Sequence, residues 1–306
     1  MSIFCVGQAA YDITARVDED IVPDRKYRLT THTECPGAPS LNGACVCGKW
    51  GASSYLVARI GKDAYGTMIK DQVRSCGVNL DYLLDAPGVS TSFSFIIANG
   101  KTESRTIFNF PSQPVEAKVR FPEEAPDVIL CDGHEPEATI AFSERFPQAA
   151  VVVDAGTCRE STMQTARVSD YIVSSKTFAE RYTGKSLPKD DEGITEVLHA
   201  LGEINPGCRV AVTLGSEGLV YLEDNELVRL PAFPADTIDS TGAGDIFHGA
   251  FAYGLSRGLS FVDCLTLGSM TASISTTKMG SQRSIPELEQ VLDALEEHGS
   301  AIAGLR

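Results

Sequence analysis

The sequence has no long hydrophobic run and comparatively few positive charges. No apolar stretch in its 306 residues approaches the roughly 18 residues that a membrane helix needs. Its 26 lysine and arginine residues are outnumbered by 41 aspartate and glutamate residues, which gives a formal net charge of −15. Nucleic acids and anionic membranes both select basic surfaces, so we expect neither as the main partner.

A disulfide framework and a targeting segment are also missing. The nine cysteines are odd in number and lack a secreted spacing, and the opening MSIFCVGQ resembles a buried strand rather than a signal peptide. We therefore expect free thiols and a cytoplasmic location. Cys45 with Cys47, or Cys131 with His134, could begin a zinc site, but no second pair completes either at tetrahedral spacing.

Short apolar strands alternate with helical stretches along most of the chain. SIFCV, SYLVARIG, DVILCD and AAVVVDAG are typical of buried strands, and the apolar spacing around Leu41 predicts a helix over 40–50. This alternation predicts an α/β fold in which a parallel sheet carries helices on both faces.

Two segments break this rhythm, and we call them the lid segments. Residues 13–34 and 90–110 alternate polar and apolar positions without a helical period, and Asn99-Gly100 is a strong hairpin signal. They predict antiparallel strands of one small sheet that covers a cleft.

Two glycine patterns imitate known nucleotide motifs. The segment GACVCGKW (43–50) fits a phosphate-binding loop except at its last position, where Trp50 replaces the hydroxyl residue that would hold Mg²⁺. The segment also lies inside the predicted helix, whereas a phosphate-binding loop lies between a strand and a helix. GAGDIFHG (242–249) misplaces the third glycine of the dinucleotide fingerprint and follows a segment with two prolines rather than a strand. We therefore expect neither a phosphate-binding loop at 43–50 nor a dinucleotide fingerprint at 242–249.

The run DSTGAGD (239–245) precedes apolar residues at helical spacing, from Ile246 to Leu255. Gly242, Ala243 and Gly244 are therefore expected at a helix N-terminus, where free amides and the helix dipole favour an anion such as phosphate. Asp245 would then either accept a proton from an attacking hydroxyl or simply favour the helix start. This stretch alone leaves both open.

The same run closely resembles the signature of the ribokinase-like, or PfkB, family of carbohydrate kinases. Similar motifs follow the family's order over nearly the whole chain: VGQAAYD (6–12), GAPSLNGACVCGKWG (37–51), ARIGKDAYG (58–66), VTLGSEG (212–218) and KMGSQRS (278–284). The resemblance implies a three-layer α/β parallel-sheet core of ribokinase-like type, over 1–12, 35–89 and 111–306, which carries the nucleotide site. The lid segments would form a small β-sheet lid over the sugar site.

The resemblance also implies ATP-dependent phosphorylation of a hydroxyl group, which we expect to be a primary hydroxyl of a small sugar or sugar-like polyol. Asp245 would be the general base and Gly242 to Gly244 the anion hole, with Mg²⁺ and a K⁺-like ion as cofactors. The acceptor is expected at Asp12, Gly37, Ala38, Asn42, Arg105 and Asp245, ATP at Ser175, Thr213, Gly215, Ser216, Gly218 and Gly244, and the monovalent cation at Asp239, Thr241, Ser275, Lys278, Gly280 and Ser284.

Several residues depart from the family pattern. Ala38 replaces a glycine, His248 replaces a frequent asparagine, and Ser175 and Phe178 replace the asparagine and glutamate that organise metal and phosphate in many members. A nucleoside kinase of the same family and a non-catalytic sugar-binding regulator therefore stay open as alternatives.

Some roles and the assembly also stay open. His134 either caps the helix near Pro136, which we favour, or reaches the sugar, and Arg105 is either a solvated hairpin charge or a lid contact. A homodimer is expected to bury the lid faces that carry Phe93, Phe95 and Ile97.

Overall fold

The computed structural model describes residues 1–100, 104–113 and 115–305, apart from the side chains of Ser104 and Arg105. Two sheets organise this chain. The strands of the large sheet, in their order across it, are β12 (Glu226–Leu230), β11 (Leu219–Glu223), β10 (Arg209–Thr213), β9 (Tyr171–Ser175), β8 (Ala150–Ala155), β7 (Val128–Cys131), β1 (Ser2–Val6) and β4 (Ser53–Val57).

The strands from β10 to β4 run parallel, as predicted, and β11 and β12 add an antiparallel edge. The carboxyl ends of the parallel strands therefore meet at one edge of the sheet. In open parallel sheets that edge is the usual place for ligands.

Helices cover both faces of the large sheet, because alternate strand residues point to opposite faces and form two hydrophobic cores. One face carries α1 (Pro39–Lys49), α2 (Ala64–Ser75), α7 (Ala243–Ser256), α8 (Phe261–Ser275) and α9 (Leu288–Glu297). The other carries α3 (Pro136–Arg145), α4 (Glu160–Ala166), α5 (Lys176–Thr183) and α6 (Asp191–Gly202). The predicted three-layer α/β fold is confirmed.

The predicted helix over 40–50 corresponds to α1. It contains most of the segment 43–50, so this segment is not a phosphate loop. The buried Trp50 follows α1 and donates from Nε1 to the carbonyl oxygen of Pro286. In the part of the chain that the structure describes, we find no helix of the length and hydrophobicity that a membrane crossing would take.

The small sheet contains β3 (His32–Gly37), β2 (Ala10–Val17), β5 (Ser92–Asn99) and β6 (Ser104–Phe110), in that order. Each lid segment contributes an antiparallel pair, but β2 joins β5 in parallel. The expectation of a purely antiparallel small sheet is therefore wrong at that one pairing.

The small sheet begins at Ala10, three residues before the start of the first lid segment. The chain leaves the large sheet at Gly7, where a Cβ atom would lie 2.1 Å from Oδ1 of Asp132, and it enters β2 at Ala10. Asp12 therefore belongs to the small sheet and not to the end of the first core strand.

The two faces of the small sheet differ in chemistry. Asp12 shares one face with Ser94 and Asn109, since these positions are paired in register. Tyr11 lies on the opposite face, where its ring centroid is 5.0 Å from that of Tyr65 in α2. A polar face and an aromatic face thus flank the sheet.

Candidate active site

The N-terminus of α7 forms the centre of the candidate site, and it begins where the sequence predicts. Gly242 is its N-cap with φ 77°, and a Cβ atom there would lie only 2.6 Å from Cβ of Ser281. Both the left-handed conformation and the close packing therefore require glycine. Gly244 is exposed and faces open space. The amide of Ala243 donates to the carbonyl oxygen of Ser240 at 3.3 Å, so the amides of Gly244 and Asp245 are the ones of this first turn that can bind an anion.

Asp245 lies in the same first turn and is held by Asn42 of α1. Asn42 donates from Nδ2 to Oδ2 of Asp245 at 2.7 Å. Asn42 is only 2% exposed, and its Oδ1 has no hydrogen-bond partner. Because an unpaired buried oxygen costs free energy, a bound hydroxyl group that donates to this oxygen would be stabilised.

Other acids surround the half-buried carboxyl group of Asp245. Burial is the largest cause that raises its pKa, to about 8, and the charge of Asp154 comes next. The hydrogen bond from Asn42 opposes this rise, whereas Asp132 and Asp12 add to it. A pKa near neutrality suits a group that accepts a proton during catalysis.

Asp132 and Asp154 occupy the carboxyl ends of β7 and β8, and the sequence analysis did not select them. Oδ2 of Asp132 accepts from the amides of Gln8 and Ser40, at 2.9 and 3.0 Å, and so joins the exit of β1 to the start of α1. Burial opposes its ionisation, but the charge of His134 and the hydrogen-bond donors lower the pKa of Asp132 to about 2. The sequence feature that could have indicated them is an aspartate at the end of each of these two apolar strands.

The helix-cap interpretation of His134 is wrong. Helix α3 does begin at Pro136, but its N-cap is Glu135, and the His134 ring lies elsewhere. Its Nδ1 is 3.0 Å from Oδ1 of Asp132, and its Nε2 is 2.9 Å from Nη1 of Arg159. His134 therefore connects an acid at the edge of the sheet to the residue that precedes α4.

Asp12 lies in β2, opposite Cys35 of β3 and Ser94 of β5. Burial raises the pKa of its carboxyl group, and a hydrogen bond with Ser94 opposes that rise. A Cβ atom at Gly37 would lie 2.6 Å from Oδ2 of Asp12, so the glycine leaves room for the carboxylate.

Ala38 follows as the N-cap of α1 with φ 94° and ψ 152°. Glycine is nearly the only residue that adopts this conformation without strain. The backbone of Ala38 is therefore strained, at the junction between the small sheet and the core.

Apart from Gly244 in α7, the residues expected to bind ATP lie at the carboxyl ends of β9 and β10 and just beyond them. The hydroxyl of Ser175 donates to Gly156 O and accepts from the amide of Phe178, so it caps α5. Phe178 is fully buried and offers no metal ligand. Thr213 ends β10 and donates from Oγ1 to the carbonyl oxygen of Ser174. The expected ATP residues Gly215, Ser216 and Gly218 belong to the turn after β10, and Gly215 and Gly218 have positive φ.

Most of the residues expected to hold a monovalent cation come from two turns that Asp239 joins, and Ser275 is the last residue of α8. Oδ1 of Asp239 accepts from the amide and hydroxyl of Thr241, and Oδ2 accepts from the amide of Gly280 at 3.0 Å. Ser275 and Ser284 are buried and donate to the carbonyl oxygens of Ala272 and Ser281. Lys278 is exposed.

Arg105 lies in β6, but its side chain falls outside the described part of the chain. No group of three or more His, Cys, Asp or Glu side chains within the described residues could hold a metal ion.

A family model described as pfkB family carbohydrate kinase matches residues 1–288. The chain belongs to this family. This carbohydrate kinase is 24% identical to the ribokinase of Bacillus subtilis over 310 residues, which cover 96% of this chain and 99% of that protein. It is 23% identical to the nucleoside kinase of Methanothermobacter thermautotrophicus over 296 residues, which cover 93% of this chain and 92% of the relative.

Solved structures show the same fold. A putative ribokinase from Agrobacterium tumefaciens superposes with a TM-score of 0.86 at 24% identity, over 98% of this chain and 99% of that one. Arabidopsis thaliana ribokinase, complexed with ribose and ATP, superposes with a TM-score of 0.79 at 22% identity, over 96% and 98% of the two chains.

Proposed function

We propose that this kinase transfers the terminal phosphoryl group of ATP to a primary hydroxyl of a small sugar or sugar-like polyol. The observation that carries the proposal is the position of Asp245, which Asn42 holds in the first turn of α7 beside the free amides. A base next to an anion site can take the proton of a hydroxyl while its oxygen attacks phosphorus and ADP leaves. In such transfers the protein mainly positions the groups and stabilises the charge.

In this proposal the acceptor lies between α1 and the polar face of the small sheet. The carboxylate of Asp12 accepts hydrogen bonds from sugar hydroxyls, and the unpaired Oδ1 of Asn42 accepts one more. Gly37 and Ala38 border this space, and Arg105 of β6 is a further proposed contact to the acceptor. The lid segments then exclude water from the transferred phosphoryl group, which limits hydrolysis of ATP.

ATP as the donor is supported by the family and by the related ribokinase whose structure contains it. We place its nucleoside along Ser175, Thr213 and the turn of Gly215, Ser216 and Gly218, with the phosphates toward Gly244. Mg²⁺ would be held through phosphate oxygens and water, since neither Ser175 nor Phe178 supplies a carboxylate.

The turns of Asp239 and Gly280 suit a K⁺-like ion. Carboxylate, hydroxyl and main-chain carbonyl oxygens are the ligands that hard cations prefer, and Asp239 joins the two turns just before the anion hole. Lys278 is exposed, so its ammonium group can stay in water and leave this place to the ion. A bound ion would order the peptides that lead into Gly242.

A nucleoside is the second candidate acceptor, because a nucleoside kinase is among the relatives that match nearly the whole chain. ADP release should be measured with ketoses, aldopentoses, inositols and nucleosides, each in K⁺ and in a bulky organic cation at equal ionic strength. We expect turnover with a sugar or polyol and a higher rate in K⁺. Turnover with nucleosides alone would favour the second candidate, and equal rates in both salts would contradict the cation site.

We also propose a homodimer through the aromatic face of the small sheet. Phe95, Phe108 and Phe110 are 37%, 50% and 49% exposed, and β5 and β6 bring them to one face. Phe93, in contrast, is half-buried and stacks on Phe110 within the chain, with 4.4 Å between ring centroids. A second copy would cover the exposed aromatic rings from water.

A further inference from the structure

His248 lies one turn after Asp245 on α7 and is only 4% exposed. Its ring occupies the space between α7 and the ends of β8 and β9. Nδ1 is 2.7 Å from the carbonyl oxygen of Gly244 and 3.3 Å from Oδ2 of Asp154. Nε2 is 3.1 Å from the carbonyl oxygen of Val173.

Both ring nitrogens therefore face oxygen atoms that accept hydrogen bonds. Main-chain carbonyls have no proton to donate, so a nitrogen that faces one must carry its own proton. A neutral imidazole would leave one nitrogen lone pair against a carbonyl oxygen in a buried place, which is unfavourable. The doubly protonated imidazolium satisfies all three oxygens and places its charge beside the Asp154 carboxylate.

We propose that His248 is an imidazolium and acts as a positioning residue for phosphoryl transfer: it neutralises Asp154 and orients the peptide that joins Gly244 to Asp245. This proposal rests on the proposed function of Asp245. The Gly244 carbonyl belongs to the same peptide as the Asp245 amide, which is in the first turn of α7. A charged donor on that carbonyl polarises the peptide and makes the amide a stronger donor to a phosphate oxygen.

Neutralising Asp154 matters because its charge acts on Asp245. Among neighbouring charges, Asp154 is the one that raises the pKa of Asp245 most, although burial is the larger cause. Burial also raises the pKa of Asp154, and the charge of His248 opposes that rise, as does His134 to a smaller degree, while Asp132 increases it. These acids, the two histidines and Asp12 of β2 are the titratable groups whose charges act on Asp154 and Asp245.

The charge state can be measured without turnover. In protein labelled with ¹⁵N-histidine, the His248 resonances are assigned by their loss in His248→Asn. We expect two protonated ring nitrogens at pH 7 in the free enzyme. A single unprotonated nitrogen at that pH would overturn the proposal.

The positioning role is tested by kinetics and rescue. His248→Asn keeps one donor near Gly244 but loses the charge, so kcat should fall about tenfold, less than the roughly 10²–10³ lost with an anion-hole donor itself. Adding Asp154→Asn removes the unpaired carboxylate and should recover most of that loss. His199→Asn, on an exposed part of α6, is the matched control and should change nothing.

Asp154→Asn alone removes the neighbouring charge that raises the pKa of Asp245 most, and it changes no residue of α7. The acidic limb of kcat/KM should then move to lower pH by about one unit. An unmoved limb in Asp154→Asn would overturn the positioning role even if His248→Asn fails to fold. A double variant no faster than a folded His248→Asn would overturn it as well. No turnover by the wild type with any acceptor would overturn that role together with the proposed function, whereas a neutral ring in an active enzyme would overturn it alone.

Discussion

Asn42 and Asp245 lie 203 residues apart in the chain, yet the amide of one donates to the carboxylate of the other at 2.7 Å. Burial raises the pKa of Asp245, and this bond opposes the rise because it stabilises the charged form. The resulting pKa is about 8. A base must be deprotonated to act, so we predict that kcat/KM of the wild type rises with pH and levels off above that value.

Asn42→Ala removes the donor and should shift this acidic limb to higher pH, with weaker acceptor binding. Ser40→Ala is the matched control on α1, since it removes a buried hydroxyl that has no hydrogen-bond partner. A limb that moves equally in both variants would point to disturbance of the helix. A limb that stays in place in Asn42→Ala would separate Asn42 from the ionisation of Asp245.

Asp12→Ala should weaken acceptor binding by about 1.5–3 kcal/mol, the range for hydrogen bonds to a charged group. Calorimetric titration of the acceptor measures this change, and the affinity for ATP alone should stay the same. Asp18→Ala is the control, because Asp18 forms an exposed ion pair with Arg16 in the same lid segment. Loss of ATP affinity in Asp12→Ala would instead assign Asp12 a structural role.

Ala38→Gly should stabilise the folded protein, because glycine adopts φ 94° without strain. Strain of this kind is worth about 1–3 kcal/mol, and the greater freedom of glycine in the unfolded chain takes back about 0.4–1 kcal/mol. We expect the melting temperature to rise by a few degrees. Ala141→Gly, inside α3, should lower it, and a fall in both variants would exclude strain at Ala38.

The exposed aromatic face predicts a dimer at micromolar concentration. Light scattering should give twice the 32.8 kDa of one chain, and Phe108→Glu should give the mass of a single chain. A wild type that is fully active at the single-chain mass would refute the dimer.

Local patterns predicted much of this fold. The start of α7 follows from a glycine run before apolar residues at helical spacing, and the alternation of strands and helices predicts the parallel sheet. Pairing between distant strands was harder: nothing local to β2 or β5 indicates that they join in parallel, and the turn at Gly7 depends on Asp132, which is remote in sequence.

The candidate site was predictable to a similar degree. Asp12, Asn42 and Asp245 were selected from motifs, and their neighbours Asp132 and Asp154 were not. His134 was misinterpreted because its partner Arg159, which precedes α4, is 25 residues further along the chain. His248 stood out only as a departure from the family pattern, since its carbonyl and carboxylate partners come together only in the folded chain.

The most direct measurement for the central claim compares Asp245→Asn with the wild type, by steady-state ADP formation with the best acceptor. The amide cannot accept the proton, so kcat should fall about 10²–10⁴-fold, while the acceptor dissociation constant stays nearly unchanged. The variant should melt no lower than the wild type at pH 8. Because folding raises the pKa of Asp245 to about 8, the folded wild type loses stability as the pH rises from about 4 to about 8, where the carboxyl group is ionised in the unfolded chain and protonated in the folded one. A folded variant with the wild-type kcat would contradict the assignment of Asp245 as the base.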